Sequence, residues 1–130
     1  MNSRQKGKRG ELDAAAFLSE QGFPARRGQQ FAGSPDTPDV LCPLLKHVHF
    51  EIKRTQRTDL YGWIKQAVTD AGEKMPVVLH RKNNAEWLAI IRAPDLLALL
   101  RDTNSLRVER KQEQREANQT RPSTSEGTEP

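Results

Sequence analysis

Glu51 and Lys53 are the two residues whose types and spacing are best suited to chemistry. They stand two positions apart at the end of a segment, residues 46–53, in which apolar and polar residues alternate. This alternation predicts a β-strand, whose successive side chains point to opposite faces. Glu51 and Lys53 therefore leave one face together, while the other face carries Val48, Phe50 and Ile52. A strand at the edge of a sheet with one solvated face would have the same pattern.

Asp39 adds a second carboxylate. It begins the short apolar segment Val40–Leu41 and precedes Glu51 by 12 positions, which is enough for a hairpin-like return. Two carboxylates held close together repel each other, and a divalent cation with oxygen ligands is the natural way to keep both ionised. A lysine beside them can stabilise phosphate charge or help to orient a hydroxide.

Glu11 is the third candidate acid. It falls on the same helical stripe as Ala15 and Leu18, at spacings of four and seven residues. A carboxylate among apolar neighbours needs a partner, because burying it alone is costly. A solvated acid near the start of a helix, where the helix dipole favours it, is the alternative interpretation.

The elements around these residues predict a mixed sheet with helices on its faces, in the α/β or α+β class. The first helix should span residues 10–21 and end at Gly22, and the second should begin at Thr58 or Asp59 and end at Ala71. Its buried stripe is expected to contain Leu60, Ile64, Ala67, Val68 and Ala71. The remaining elements are strands at 23–27, 40–41, 46–53, 77–80 and 86–91 and a last helix at 95–100.

Composition limits the function classes. The chain has 130 residues, a net charge of +4 and one cysteine, so it has room for one domain and no internal disulfide. No apolar run approaches the roughly 20 residues that span a bilayer, and we expect a cytoplasmic protein. We assign residues 1–100 to the domain and residues 101–130 to a polar tail. Ala117 is the only hydrophobic residue between Glu109 and Pro130, so we expect the tail to be disordered or a frayed helix.

The motifs and their order resemble the archaeal-type Holliday-junction resolvases of the PD-(D/E)XK nuclease superfamily. The resemblance covers about residues 5–91 and is carried by residues 6–11, 22–23, 25–27, 33–34, 38–40 and 50–53. It implies an α/β, restriction-endonuclease-like fold. It also implies an endonuclease that resolves Holliday junctions or other branched DNA.

The resemblance implies a role for each matching residue. Glu11, Asp39 and Glu51 would bind Mg²⁺, for which Mn²⁺ would substitute, and Lys53 would be the catalytic lysine. Ser34 would lie in a loop near the scissile phosphate. Gln66 matches a helix glutamine found near the site in relatives. Asp70 replaces the tyrosine that follows this glutamine in some exonucleases, which argues against an exonuclease of that kind.

Further contacts are expected around this site. The backbone carbonyl of Ile52 is an additional candidate metal ligand. The resemblance assigns Arg9, Arg26 and Arg27 to the DNA backbone. The basic residues of the N-terminal segment would make sequence-independent phosphate contacts; these are Arg4, Lys6, Lys8 and Arg9.

Two alternatives remain open. The chain could be another nuclease of the same fold that cuts flaps, ends or plain duplex, or a DNA-binding module without catalysis. His47 and His49 lie on the Glu51 face, but no cysteine pair or third histidine is placed near them, which disfavours zinc.

The family is typically dimeric. We expect a homodimer that uses residues 86–91 or the leucines of the last helix, Leu96, Leu97, Leu99 and Leu100.

Overall fold

The computed structural model describes residues 3–28 and 39–120, with the side chains of residues 5–28 and 39–120. Ser34 and the side chain of Arg4 lie outside this range, so their predicted roles remain predictions. The chain divides into two compact units at Ala93–Pro94.

The first unit contains two sheets. Strands β1 (Arg26–Arg27) and β2 (Val40–Leu41) pair antiparallel. In the three-stranded sheet, β3 (Val48–Lys53) pairs parallel with β4 (Met75–His80), and β4 pairs antiparallel with β5 (Leu88–Ile91). Helix α1 (Ser3–Glu20) precedes the strands, and α2 (Leu60–Ala71) connects β3 to β4. The predicted mixed α/β architecture is confirmed.

The apolar core lies between α1 and one face of the sheet. Phe50 of β3 and Val77 and Leu79 of β4 alternate onto this face, as the strand period requires. Removal of this apolar surface from water supplies the main stabilisation of the unit. The core partners from α1 and from the region of β2 are Ala14, Ala15, Leu18, Val40 and Cys42.

Helix α1 begins earlier than predicted, at Ser3 and not near Gly10. Gly10 is a poor helix former, but a Cβ on it would lie 2.8 Å from the Cβ of Arg54, so its missing side chain permits close packing against the chain that follows β3. The predicted end is confirmed. Gly22 has a φ of 95°, and the Phe23 N–H donates to the Leu18 carbonyl at 2.9 Å, as in a glycine-containing C-terminal cap.

Helix α2 covers the other face of the sheet. Its predicted N-terminal cap is confirmed, since the Asp59 carboxylate accepts the Gly62 N–H at 3.1 Å. Of the predicted stripe, only Ala67 and Ala71 are buried, whereas Leu60 and Val68 are exposed. Small side chains bring the helix axis close to the sheet, and the larger ones remain at the margins of the contact.

The second unit contains α3 (Ala93–Thr120), which was predicted to end at Leu100. Residues 101–120 contain four Arg, three Glu and three Gln and lack Gly and Pro, so the helix continues on propensity. Every residue from Leu96 to Thr120 is exposed. Within residues 3–28 and 39–120, no helix combines the length and the apolar character needed to cross a membrane.

Candidate functional site

Asp39 and Glu51 are brought together at the outer edge of β3. The Asp39 carboxylate accepts the Ile52 N–H at 3.2 Å, which fastens the residue before β2 to the next strand. The pKa of Asp39 is raised to about 6, mainly by burial and then by the charges of Glu51 and Glu11; the Ile52 N–H and His49 act in the opposite direction. Three carboxylates from distant parts of the sequence therefore share one electrostatic environment.

Glu51 lies on a polar but buried face, with 6% of its surface exposed. Its Oε2 lies 3.2 Å from Nε2 of His49, which is also buried and occupies the same face two residues earlier. The alternative interpretation, an edge strand with one solvated face, is therefore right about the position of the strand and wrong about the solvation of this face. Within the described residues β3 is an edge strand, but α2 shields this face from solvent.

Glu11 has the partner that its position requires. Its Oε2 lies 2.5 Å from Nε of Arg27, and both side chains are only partly exposed. The guanidinium orients the carboxylate toward the other acids without removing its charge. Arg27, predicted to contact the DNA backbone, is therefore engaged with Glu11.

The fold brings Lys53 and Gln66 into contact. The Lys53 ammonium donates to the Gln66 amide oxygen at 2.9 Å across the contact between β3 and α2. An uncharged acceptor fixes the position of the ammonium and leaves its positive charge available.

Asp70, an exposed residue of α2, is a candidate metal ligand that the sequence reasoning missed. One of its ligand atoms, one of His49 and one of Glu51 all lie within 4.8 Å of one another. A usable signal existed in the sequence. Asp70 follows Gln66 by four residues, and residues at this spacing share one face of a helix.

These residues fit a divalent cation that prefers oxygen ligands. The carboxylates of Asp39 and Glu51 approach closely enough for their repulsion to raise the pKa of Asp39, and a cation would relieve that repulsion. The Ile52 carbonyl is suitably placed. Because Lys53 and His47 accept bonds from the β4 side, the N–H and carbonyl of Ile52 face the opposite side, toward Asp39. Oxygen ligands of this kind suit Mn²⁺ as well as Mg²⁺.

Four of the residues that were predicted to contact DNA are exposed. Lys6, Lys8 and Arg9 are exposed on α1, and Arg26 is exposed on β1. Their roles remain predictions.

Comparison of the chain with protein-family models, curated proteins and solved structures finds no match.

Proposed function

We propose that the chain is a divalent-metal-dependent endonuclease that hydrolyses phosphodiester bonds in DNA. The observation that carries the proposal is that Asp39, which accepts the Ile52 N–H next to Glu51, lies within electrostatic reach of Glu11 and Glu51, while Lys53 on the same strand is held by an uncharged amide. Carboxylates gathered in a partly dry environment reduce stability. A bound cation offsets this cost, and metal-assisted hydrolysis uses such an arrangement.

Each residue has a specific role in this proposal. Asp39, Glu51 and the Ile52 carbonyl would hold Mg²⁺, or Mn²⁺ in its place, with Glu11 completing the acidic shell. The cation would supply an activated water and positive charge against the phosphate. Lys53 would donate to a phosphate oxygen or to the attacking water, in the position that Gln66 defines.

The neighbouring residues would act by positioning these groups. His49 orients Glu51, and Arg27 orients Glu11. Partners of this kind fix the geometry of metal ligands and raise metal affinity.

Branched DNA is the proposed substrate, on the strength of the sequence resemblance. Resolution of a junction needs two symmetric cuts, and one site per chain then requires a twofold dimer. The four leucines at positions 96–100 are all exposed within the second unit, which leaves apolar surface for a dimer contact. Sedimentation at micromolar concentration tests this part, and a monomer would contradict it.

Cleavage of a labelled four-way junction, beside duplex, flap and single strand, tests the proposal in Mg²⁺ and in EDTA. We expect Mg²⁺-dependent cleavage that is greatest on the junction. Asp39→Asn and Glu51→Gln should abolish cleavage with DNA binding largely retained. The matched controls Asp102→Asn and Glu73→Gln change exposed acids outside the site and should cut normally.

The remaining outcomes separate the alternatives. Equal cutting of duplex and junction would favour a nuclease without branch selectivity, and selective cutting of flaps would favour a flap nuclease. Binding without cleavage in Mg²⁺ and Mn²⁺ would overturn the catalytic proposal and favour a DNA-binding module.

A further inference from the structure

A second cleft opens beside the candidate site, between α1 and the segments that follow β3 and β4. It has a volume of about 450 Å³, and its floor is formed by Arg54, Arg81 and Asp13. Lys6 and Arg9 also line it. Four cationic side chains and one carboxylate leave an excess of three positive charges.

The floor of the cleft is held in place by a shared ion pair. Asp13 accepts from Nε of Arg54 at 3.3 Å and from Nη1 of Arg81 at 3.2 Å. Arg54 also donates to the Asn83 side chain at 3.3 Å, and Arg81 donates to the Ala85 carbonyl at 2.6 Å. One carboxylate cannot neutralise two guanidinium groups. The cleft therefore keeps a net positive charge. Arg54 and Arg81 are already held in place, so these two side chains lose little conformational entropy when a ligand binds.

The cleft continues toward Lys53. A smaller cavity of about 230 Å³ is lined by Lys53 and Ile52, and it shares Lys6, Gly10 and Arg54 with the larger cleft. A polyanionic strand lying along both cavities would pass from the candidate site to the arginine pair without leaving positively charged surface.

We infer that the cleft floored by Arg54 and Arg81 is a subsite for a backbone phosphate of DNA, next to the phosphate at the candidate site. Its chemistry is charge and hydrogen bonding to a phosphodiester, with no requirement for base identity. The inference rests on the proposed function only in taking DNA as the polyanion. Since none of the metal-site carboxylates takes part, binding at this subsite is independent of catalysis.

The test measures DNA binding by the full chain in EDTA. Binding is monitored by the fluorescence anisotropy of a fluorescein-labelled duplex over a range of NaCl concentrations. Arg81→Gln and Lys6→Gln each remove one charge from the cleft. Lys82→Gln, the matched control, removes a charge from the exposed residue next to Arg81 that does not line the cleft. Thermal melting identifies any unfolded variant. Lys6 is exposed on α1, so its substitution keeps the test valid if Arg81→Gln fails to fold.

Loss of one phosphate contact should lower the slope of log K against log salt by about 0.9 and weaken binding about fivefold near 0.15 M salt. We expect this for Arg81→Gln and Lys6→Gln, with no change for Lys82→Gln. Equal effects in the cleft variants and the control, or no effect in any of them, would overturn the inference. Displacement of the duplex by millimolar deoxyadenosine, which carries no phosphate, from wild type but not from Arg81→Gln would also overturn it, because the cleft would then bind a nucleoside and not a phosphate.

The outcome is separable from that of the proposed function. A wild type that cuts DNA, with an Arg81→Gln variant that binds like the control, would overturn the subsite alone. A wild type that binds but never cuts, with both cleft variants weakened, would support the subsite and overturn the catalytic proposal.

Discussion

The two faces of β3 are equally shielded from solvent, yet their chemistry is opposite. Phe50 is 7% exposed on the face toward α1, and Glu51 is 6% exposed on the face toward α2. The first face belongs to the apolar core, whereas the second carries a histidine, a glutamate and a lysine. Burial of apolar surface stabilises the fold directly. Burial of polar groups is tolerated only where each group has a partner.

The partners on the polar face are present. Within residues 5–28 and 39–120, no buried side-chain nitrogen or oxygen lacks a hydrogen-bond partner. The two faces of β3 therefore have different roles: one stabilises the fold, and the other holds polar side chains in fixed positions. Substitutions on the two faces should consequently change different measurable quantities.

The largest expected effect on stability is on the apolar face. Phe50→Ala removes a buried aromatic ring and should lower the free energy of unfolding by about 3–5 kcal/mol. Urea unfolding monitored by circular dichroism measures this loss. Leu44→Ala, at an exposed leucine, should change stability by less than about 0.5 kcal/mol. Equal losses in the two variants would contradict the assignment of Phe50 to the core.

On the polar face, the expected change is in metal affinity. His49→Phe keeps a planar ring but removes the nitrogen that orients Glu51. Loss of such a positioning partner should weaken Mn²⁺ binding about 10–100-fold, measured by calorimetry or electron paramagnetic resonance. His47→Phe makes the same substitution at an exposed histidine and should bind Mn²⁺ as the wild type does. Unchanged affinity in His49→Phe would remove His49 from the site.

Asp39 should make the free energy of unfolding depend on pH. Its folded pKa of about 6 lies above the ordinary value of 3.8, so between these values the folded state binds more protons than the unfolded state. Stability should therefore fall as pH rises from about 4 to 6. In EDTA at pH 7, Asp39→Asn should be more stable than wild type by about 1–2 kcal/mol, after allowance for solvent screening.

The gain from Asp39→Asn should fall through this range and disappear well below pH 3.8, where wild-type Asp39 is protonated in both states. Thermal and urea unfolding at both pH values measure the difference. Asp102→Asn, at an exposed position in α3, is the control and should show no such dependence. A stabilisation that persisted at low pH would place its cause elsewhere.

The smallest effect on stability is expected in the exposed part of α3. Truncation after Arg107 removes residues that are exposed throughout the described part of α3, so the thermal midpoint of the first unit should stay within error. A fall of several degrees would mean that the end of α3 packs on the domain or on a second copy of the chain. Differential scanning calorimetry of the two lengths decides between these outcomes.

Local pattern was sufficient for the elements of the fold. Alternation located β3 within two residues, and the Asp59 cap and Gly22 gave the start of α2 and the end of α1. These signals act over a few neighbouring residues, so they can be read without knowledge of distant contacts. The end of α3 was not predicted, because the low content of apolar residues after Leu100 indicated a disordered tail or a frayed helix. Helix propensity alone continues this helix.

The alternation in residues 46–53 is enough to place Glu51 and Lys53 on one face, because strand geometry puts alternate residues on the same side. Their partners depend on the packing of the elements against each other. The packing of α2 on the sheet joins Gln66 to Lys53 and brings Asp70 near Glu51. Likewise, α1 and β1 place Arg27 against Glu11, 16 residues apart in the chain. Pairing of this kind depends on the distance between elements, which periodicity and capping within one element do not encode.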